Sequence, residues 1–140
     1  MPRNTVTGEE APKGRFISMV VTPLYSFSRG HIHITSTTDI YSTPDFDAAM
    51  LSNPLDIKAH ILGYKRGREI IRRMRCFRGE WKDSHPPFPI HSTAAHSDDP
   101  VKPIRDYVYS KEDDEIIEQW IRGEIVSMNH PMYSFNSKES

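Results

Sequence analysis

Residues 51–78 read LSNPLDIKAHILGYKRGREIIRRMRCFR, and how this stretch folds decides the rest of the chain. Ser52 or Asn53 can offer a side-chain oxygen to the first free amides of a helix. Pro54 then falls in the first turn, where its missing N–H costs nothing. Downstream, Ile57, Ile61, Tyr64, Ile71 and Met74 recur at three- and four-residue steps or their sums, with Gly67 on the same stripe. The spacing predicts a long amphipathic helix whose apolar stripe needs a partner surface. Gly67 costs such a helix roughly 1 kcal/mol against alanine unless a neighbour packs closely on it.

A second helix is expected after "YSKEDDEIIEQWIRG" opens, with Ser110 as cap and Asp113 three residues on in the manner of a capping box. Further acids nearby suit the positive N-terminus. Ile117, Trp120 and Ile121 give its apolar face, Glu118 and Arg122 are spaced for an i,i+4 pair, and Gly123 marks a stop. Between the helices, residues 79–103 carry five prolines and His85, His91 and His96, the composition of a long surface loop. Upstream, "FISMVV" at 16–21 reads as a short buried strand. "HIHIT" at 31–35 alternates, Ile32 and Ile34 against His31, His33 and Thr35, as a half-buried strand does. Residues 1–15 are small, charged and broken by proline and glycine, so they are expected to be disordered.

The 140 residues are enough for one domain with a modest core. At 36% hydrophobic residues and a mean hydropathy of -0.61, part of the chain is expected to be loop. The net charge of -1 recruits neither nucleic acid nor an anionic membrane in bulk. The one cysteine, Cys76, excludes an internal disulfide and fits a reducing compartment. No apolar signal-peptide region and no run of 18 apolar residues stands in the sequence, which predicts an intracellular protein, cytoplasmic or peroxisomal, with no membrane partner.

Three groups of residues invite a chemical reading. His31 and His33 project from one strand face at a spacing zinc sites use, but zinc needs three or four converging ligands. Surface histidines on a strand are the plainer reading, and no metal site is assigned. Lys65, Arg66, Arg68, Arg72, Arg73, Arg75 and Arg78 make a local basic face opposed only by Glu69. Such a face, over 65–78, can meet phosphates or an acidic partner. It is equally the solvent side of an amphipathic helix, with the acids of 112–118 as its partner. No nucleic-acid partner is therefore expected. Cys76 has cationic neighbours but no base to activate it, so it reads as an inert thiol. There is no GxGxxG, P-loop or GxSxG in these residues.

Several segments taken together carry a resemblance. "SRGHIHITSTTDIYSTPDFDAAMLSNPLDIKAHILGYKRGREI", from Ser28, has Ser-Arg-Gly, an alternating strand, a proline-aspartate segment and a helix opening with Asn-Pro and Asp. It resembles the start of the C-terminal region of glucose-methanol-choline (GMC) oxidoreductases, which are FAD-dependent. "RGEWKDSHPPFP" and "YSKEDDEIIEQWIR" are similar to the fungal alcohol oxidase branch, and the similarity spans roughly residues 23–130. The resemblance implies an α+β fold, a partial antiparallel sheet with two main helices and a long proline-rich loop. By it, residues 16–130 are a partial C-terminal domain, preceded by the disordered 1–15 and followed by a disordered tail, 131–140.

The resemblance also implies a chemistry. The parent reaction is oxidation of a small primary alcohol to an aldehyde with oxygen as acceptor. In the family a histidine after the second helix is the catalytic acid/base, and His130 falls at that spacing from Arg122. The family continues from this histidine into a Gly-Thr-Cys type segment, whereas Asn129 precedes and "PMYSFNSKES" follows it here. The chain is thus expected to be a truncated segment, inactive and free of FAD when alone. An incomplete sheet leaves an apolar edge, so self-association, or association with a full-length homologue, is expected. The alternative is a non-catalytic interaction module using the basic helix 65–78.

Overall fold

The structure is a computed structural model that describes residues 13–96 and 105–126. Five elements follow in order: β1 (His31–His33), β2 (Asp45–Asp47), α1 (Pro54–Arg72), a single 3-10 turn (Lys82–Ser84) and α2 (Lys111–Glu124). The strands form one antiparallel ribbon and the helices pack on each other, a small α+β arrangement as expected.

Helix α1 begins as its sequence dictates. Asn53 is the cap, its side chain accepting from the Leu55 amide at 2.9 Å, and Pro54 opens the helix. It ends at Arg72, six residues before the end of the expected 65–78 basic helix. Past Arg72 the chain tightens into three-residue turns, Arg73 N–H to Ile70 O and Met74 N–H to Ile71 O. The Arg73 guanidinium folds back onto the Glu69 carbonyl at 2.9 Å, satisfying a group that a longer helix would have used.

Helix α2 has the complete capping box, Ser110 with Asp113, and the expected Glu118–Arg122 pair at 2.8 Å. It runs one residue past Gly123, which lies inside it instead of stopping it. Nothing approaches that glycine, so no contact forces a break there.

The core is small: Leu51, Ile57, Phe88, Ala94, Ile117 and Ile121, edged by Ile61, Tyr64, Tyr107, Tyr109 and Trp120. Of the stripe on α1, Ile57 and Gly67 are buried, while Ile61, Tyr64, Ile71 and Met74 are half-buried. Pro86, Phe88 and Ala94 are buried, so the proline-rich segment is not the surface loop that its composition suggests. It lines the core, held there by side chains of both helices. Leu51 reaches the core from a left-handed backbone, φ 56°, a conformation a branched residue adopts only where its burial offsets the strain.

Upstream of α1 the expectations of burial fail. Residues 16–21 form no strand and are exposed. Their alternate side chains nevertheless lie on α1: a Cβ at Gly63 would meet Val21 at 2.3 Å, and one at Gly67 would meet Met19 at 2.9 Å. The two glycines make the groove in which this segment rests. Strand β1 forms within the expected 31–35 but is exposed on both faces, with His31, Ile32 and His33 all exposed and Ile32 at 54%. Among the described residues β1 pairs with β2 alone, and no other described element covers either face of the ribbon. Gly30 allows the ribbon's closure, because a Cβ there would lie 2.1 Å from the Asp47 carbonyl oxygen.

Candidate functional site

Where α1, the proline-rich segment and the approach to α2 converge, the chain buries charge. Arg68 and Glu80 pair through two bonds, Nε to Oε1 at 2.6 Å and Nη2 to Oε2 at 2.7 Å, with side chains 2% and 3% exposed. The third direction of the guanidinium donates to the Ala94 carbonyl at 2.8 Å, and its face lies 4.0 Å from the Tyr107 ring centroid. Burial opposes the charge of Arg68, but the Glu80 carboxylate more than restores it, so the guanidinium titrates above its ordinary range. Burial likewise pushes Glu80 up, and the bonds and charge of Arg68 pull it below the usual carboxylate range. The pair is ionised.

One turn on, Arg72 stacks on the other side of the assembly, 3.6 Å from the Tyr107 centroid, and donates to Glu69 at 2.9 Å and to the Arg105 carbonyl at 3.1 Å. Glu69 also accepts from the Tyr107 amide at 2.9 Å and from Arg73. Arg73 reaches Asp106 as well. The basic stripe is therefore not simply a solvent face. Arg68 and Arg72 point inward onto aromatic rings, and their partners are Glu80 and Glu69 instead of the acids of α2. Of those acids, Asp114 pairs with Lys65, which lies over the Tyr109 ring. Arg66, Arg75 and Arg78 remain exposed.

Beside this ion pair, the Tyr64 hydroxyl and His85 Nδ1 are 3.1 Å apart, and the His85 ring stands edge-on to His96 at 5.2 Å. Burial lowers His85 to about 4 and raises Tyr64, so at neutral pH the two are a neutral imidazole and a phenol. They are walled by Phe88, Trp120 and Tyr109. A neutral pair of this kind holds the proline-rich segment on α1.

Asp56 ties the ribbon's stem to α1. Its carboxylate accepts from the amides of Phe27 at 2.8 Å and Ser28 at 2.7 Å, and from the Ser28 hydroxyl, which in turn accepts from the Asn53 amide at 3.0 Å. Burial would raise this carboxyl, but those donors hold it below the ordinary range. Asp113 does the same at α2, accepting from Ser92 Oγ at 2.6 Å as well as from Ser110. The Asn-Pro-x-Asp and Ser-x-x-Asp patterns in the sequence were the signals for these two anchors.

His31 and His33 stack 5.1 Å apart, and His31 Nε2 is 3.4 Å from Asp45. His91 lies 3.8 Å from Glu112 on the surface. Among the described residues no group of three metal-ligating side chains is arranged to hold an ion. Cys76 is exposed. A shallow groove of about 250 Å³ between the helices is lined by Lys58, Ile61, Leu62, Lys65 and Asp114. His130 lies outside the described residues, as do residues 131–140 and 1–12.

A helix N-terminus with free amides can hold a phosphate. At the start of α1, however, the Asn53 side chain takes the Leu55 amide, and at the start of α2 the Ser110 side chain takes the Asp113 amide among three acids, so neither described helix start suits the pyrophosphate of a flavin dinucleotide. No described helix is long and apolar enough to cross a membrane.

The sequence has counterparts among known proteins. The family model of GMC oxidoreductase matches residues 26–135. Alcohol oxidase 2 of Komagataella phaffii is 43% identical over 83 residues, 59% of this chain and 12% of that protein. The alcohol oxidases of Pichia angusta and Candida boidinii are 40% and 39% identical over 87 and 83 residues. The chain spans about an eighth of the length of these curated relatives.

Proposed function

The chain belongs to the GMC oxidoreductase family, through its C-terminal domain, and from that premise we propose that it is the alcohol-binding portion of a fungal-type alcohol oxidase, with His130 as the group that takes the hydroxyl proton. The observation that carries this reading is the similarity itself, 39–43% identity to three yeast alcohol oxidases within a family match that includes position 130. A small primary alcohol is the substrate and oxygen the acceptor. An imidazole is suited to the proton step because it changes charge near neutral pH.

FAD belongs to this proposal as the cofactor of the assembled oxidase, which supplies its redox chemistry, and is held by residues other than these 140. What the described residues contribute is a scaffold: the Arg68–Glu80 pair holds the proline-rich segment on α1, Asp113 ties α2 to that segment through Ser92, Asp56 holds the ribbon's stem on α1, and His130 follows α2 in the sequence. A cytoplasmic or peroxisomal site goes with the same reading.

The experiment has two arms. The purified 140-residue chain is mixed with FAD and a primary alcohol, then passed through gel filtration. The expected result is no retained flavin absorbance and no peroxide. Residues 26–135 are then grafted in place of the matching segment of a yeast alcohol oxidase, and peroxide formation from the alcohol is expected to return. Flavin retained by the short chain, or a folded, flavin-bearing graft that oxidises no alcohol, contradicts the proposal.

A further inference from the structure

Residues 16–21 hold to α1 through side chains. Met19 lies over Gly67, where a Cβ would meet its sulfur at 2.9 Å, and Val21 fills the space at Gly63. Phe16 meets the Trp81 ring, 5.8 Å between centroids. Among the described residues no hydrogen bond joins this run to α1. Of the two side chains seated on the helix, one is a thioether, and at 37% exposure Met19 is within reach of a small oxidant in water.

We propose that Met19 is a redox-sensitive anchor: its oxidation to the sulfoxide by hydrogen peroxide frees residues 16–21 from α1. The step balances between its reactants. A sulfur lone pair attacks one peroxide oxygen, an S–O bond forms and the O–O bond breaks. The other oxygen leaves as water with both peroxide protons, so sulfur is oxidised by two electrons and peroxide reduced by two.

Oxidation turns an apolar, flexible side chain into a polar one. The sulfoxide oxygen needs a donor, and the glycine floor of the groove has none to give, because inside α1 the Gly67 amide is bonded to the Gly63 carbonyl. Burying that oxygen unpaired is unfavourable, so the side chain turns out to water. Met19 can shift aside from an added methyl group and keep an apolar contact, but a sulfoxide loses the contact through its polarity. Val21 alone then holds the run on the two glycines. The source of the oxidant rests on the proposed function, in which reduction of oxygen yields peroxide, whereas the response of Met19 to added peroxide does not.

The test treats the 140-residue chain with millimolar hydrogen peroxide, locates the added oxygen by peptide mass spectrometry and follows chymotrypsin cleavage after Phe16. Cleavage is expected to rise roughly tenfold as Met19 becomes the sulfoxide. Methionine sulfoxide reductases for both epimers are expected to reverse the rise. Met19→Leu keeps an apolar side chain of similar volume and is expected to stay protected in peroxide, although Met50 and Met74 remain oxidisable. Met19→Gln is polar without oxidation and is expected to be cleaved with no peroxide present. Unchanged cleavage with Met19 oxidised overturns the inference. So do equal release of the Met19→Leu chain, a protected Met19→Gln chain, and a Met19 that resists peroxide while Met50 is converted. None of these readouts uses alcohol or flavin, so the failure of this inference and that of the catalytic proposal are told apart.

Discussion

Arg68 and Glu80 show how a charge becomes a structural fastener. Each is nearly free of solvent, and each keeps its charge because the other is placed to bond it twice. Removing one partner leaves the other buried and uncompensated. Glu80→Gln or Arg68→Ala is expected to cost about 3–5 kcal/mol in urea unfolding, whereas the joint change Arg68→Met with Glu80→Leu is expected to cost far less. The neighbouring His85 adds a pH dependence. Its folded value of about 4 lies below an unfolded value of about 6.5, so between these the unfolded chain binds the extra proton and stability falls as pH drops. Glu80 continues the trend: its lowered carboxyl contributes stability that is lost once pH falls below the unfolded carboxylate value of about 4.3 and through its own. Urea midpoints at descending pH are expected to decline from about 6.5 in the native chain, and His85→Gln is expected to remove the larger part of the decline above about pH 4.5. What remains there comes from His60, which burial also lowers. None of this was legible at the level of residue type. The arginines read as a solvent face because helix periodicity places them beside the apolar stripe, and the aromatic rings that receive them, Phe88 and Tyr107, lie far along the chain.

At the scale of the element, the two helices were legible and the strands only in part. Caps are local chemistry, so Asn53, Pro54, Ser110 and Asp113 announce their helices from within four residues. Asp113→Ala is expected to cost about 2 kcal/mol in chemical unfolding, since it leaves Ser92 and Ser110 without their acceptor. The apolar run at 16–21 gave the right composition for a strand and the wrong environment, because nothing in it says what lies opposite. The two glycines on α1 are what it meets. Gly63→Ala places a methyl group 2.3 Å from Val21, so the gain in helix propensity is expected to be outweighed and residues 16–21 to become cleavable by protease. Adding Val21→Ala relieves the clash, the remaining Cβ lying at 3.6 Å, and is expected to restore protection. Gly67→Ala meets the flexible end of Met19 at 2.9 Å and Val21 at an ordinary contact distance of 3.4 Å, and is expected to be nearly neutral.

As a whole, the described molecule has two unequal halves. The helical half is closed around six buried hydrophobic residues, with Ile117 fully enclosed. The half from residue 13 to 50 rests on it through Asp56 and the two glycines and leaves Leu24, Ile34, Ile40, Tyr41 and Phe46 largely exposed. Amide exchange is expected to be slow in α1 and α2 and fast across 16–50, with Asp56→Asn speeding the latter selectively. The resemblance of the sequence to GMC oxidoreductases identified the family because its motifs keep their order over most of the chain, even where the physical role of a motif was not visible. Asp56 was legible as part of a pattern, and its task of holding the Phe27 and Ser28 amides only in three dimensions. The catalytic assignment of His130 rests on that same order of motifs. Its most direct test is the rate of peroxide formation by the grafted oxidase with His130 and with His130→Gln, at saturating alcohol. The account predicts a kcat lower by about 100-fold or more for the glutamine variant, with flavin content and KM little changed. An unchanged kcat would contradict it.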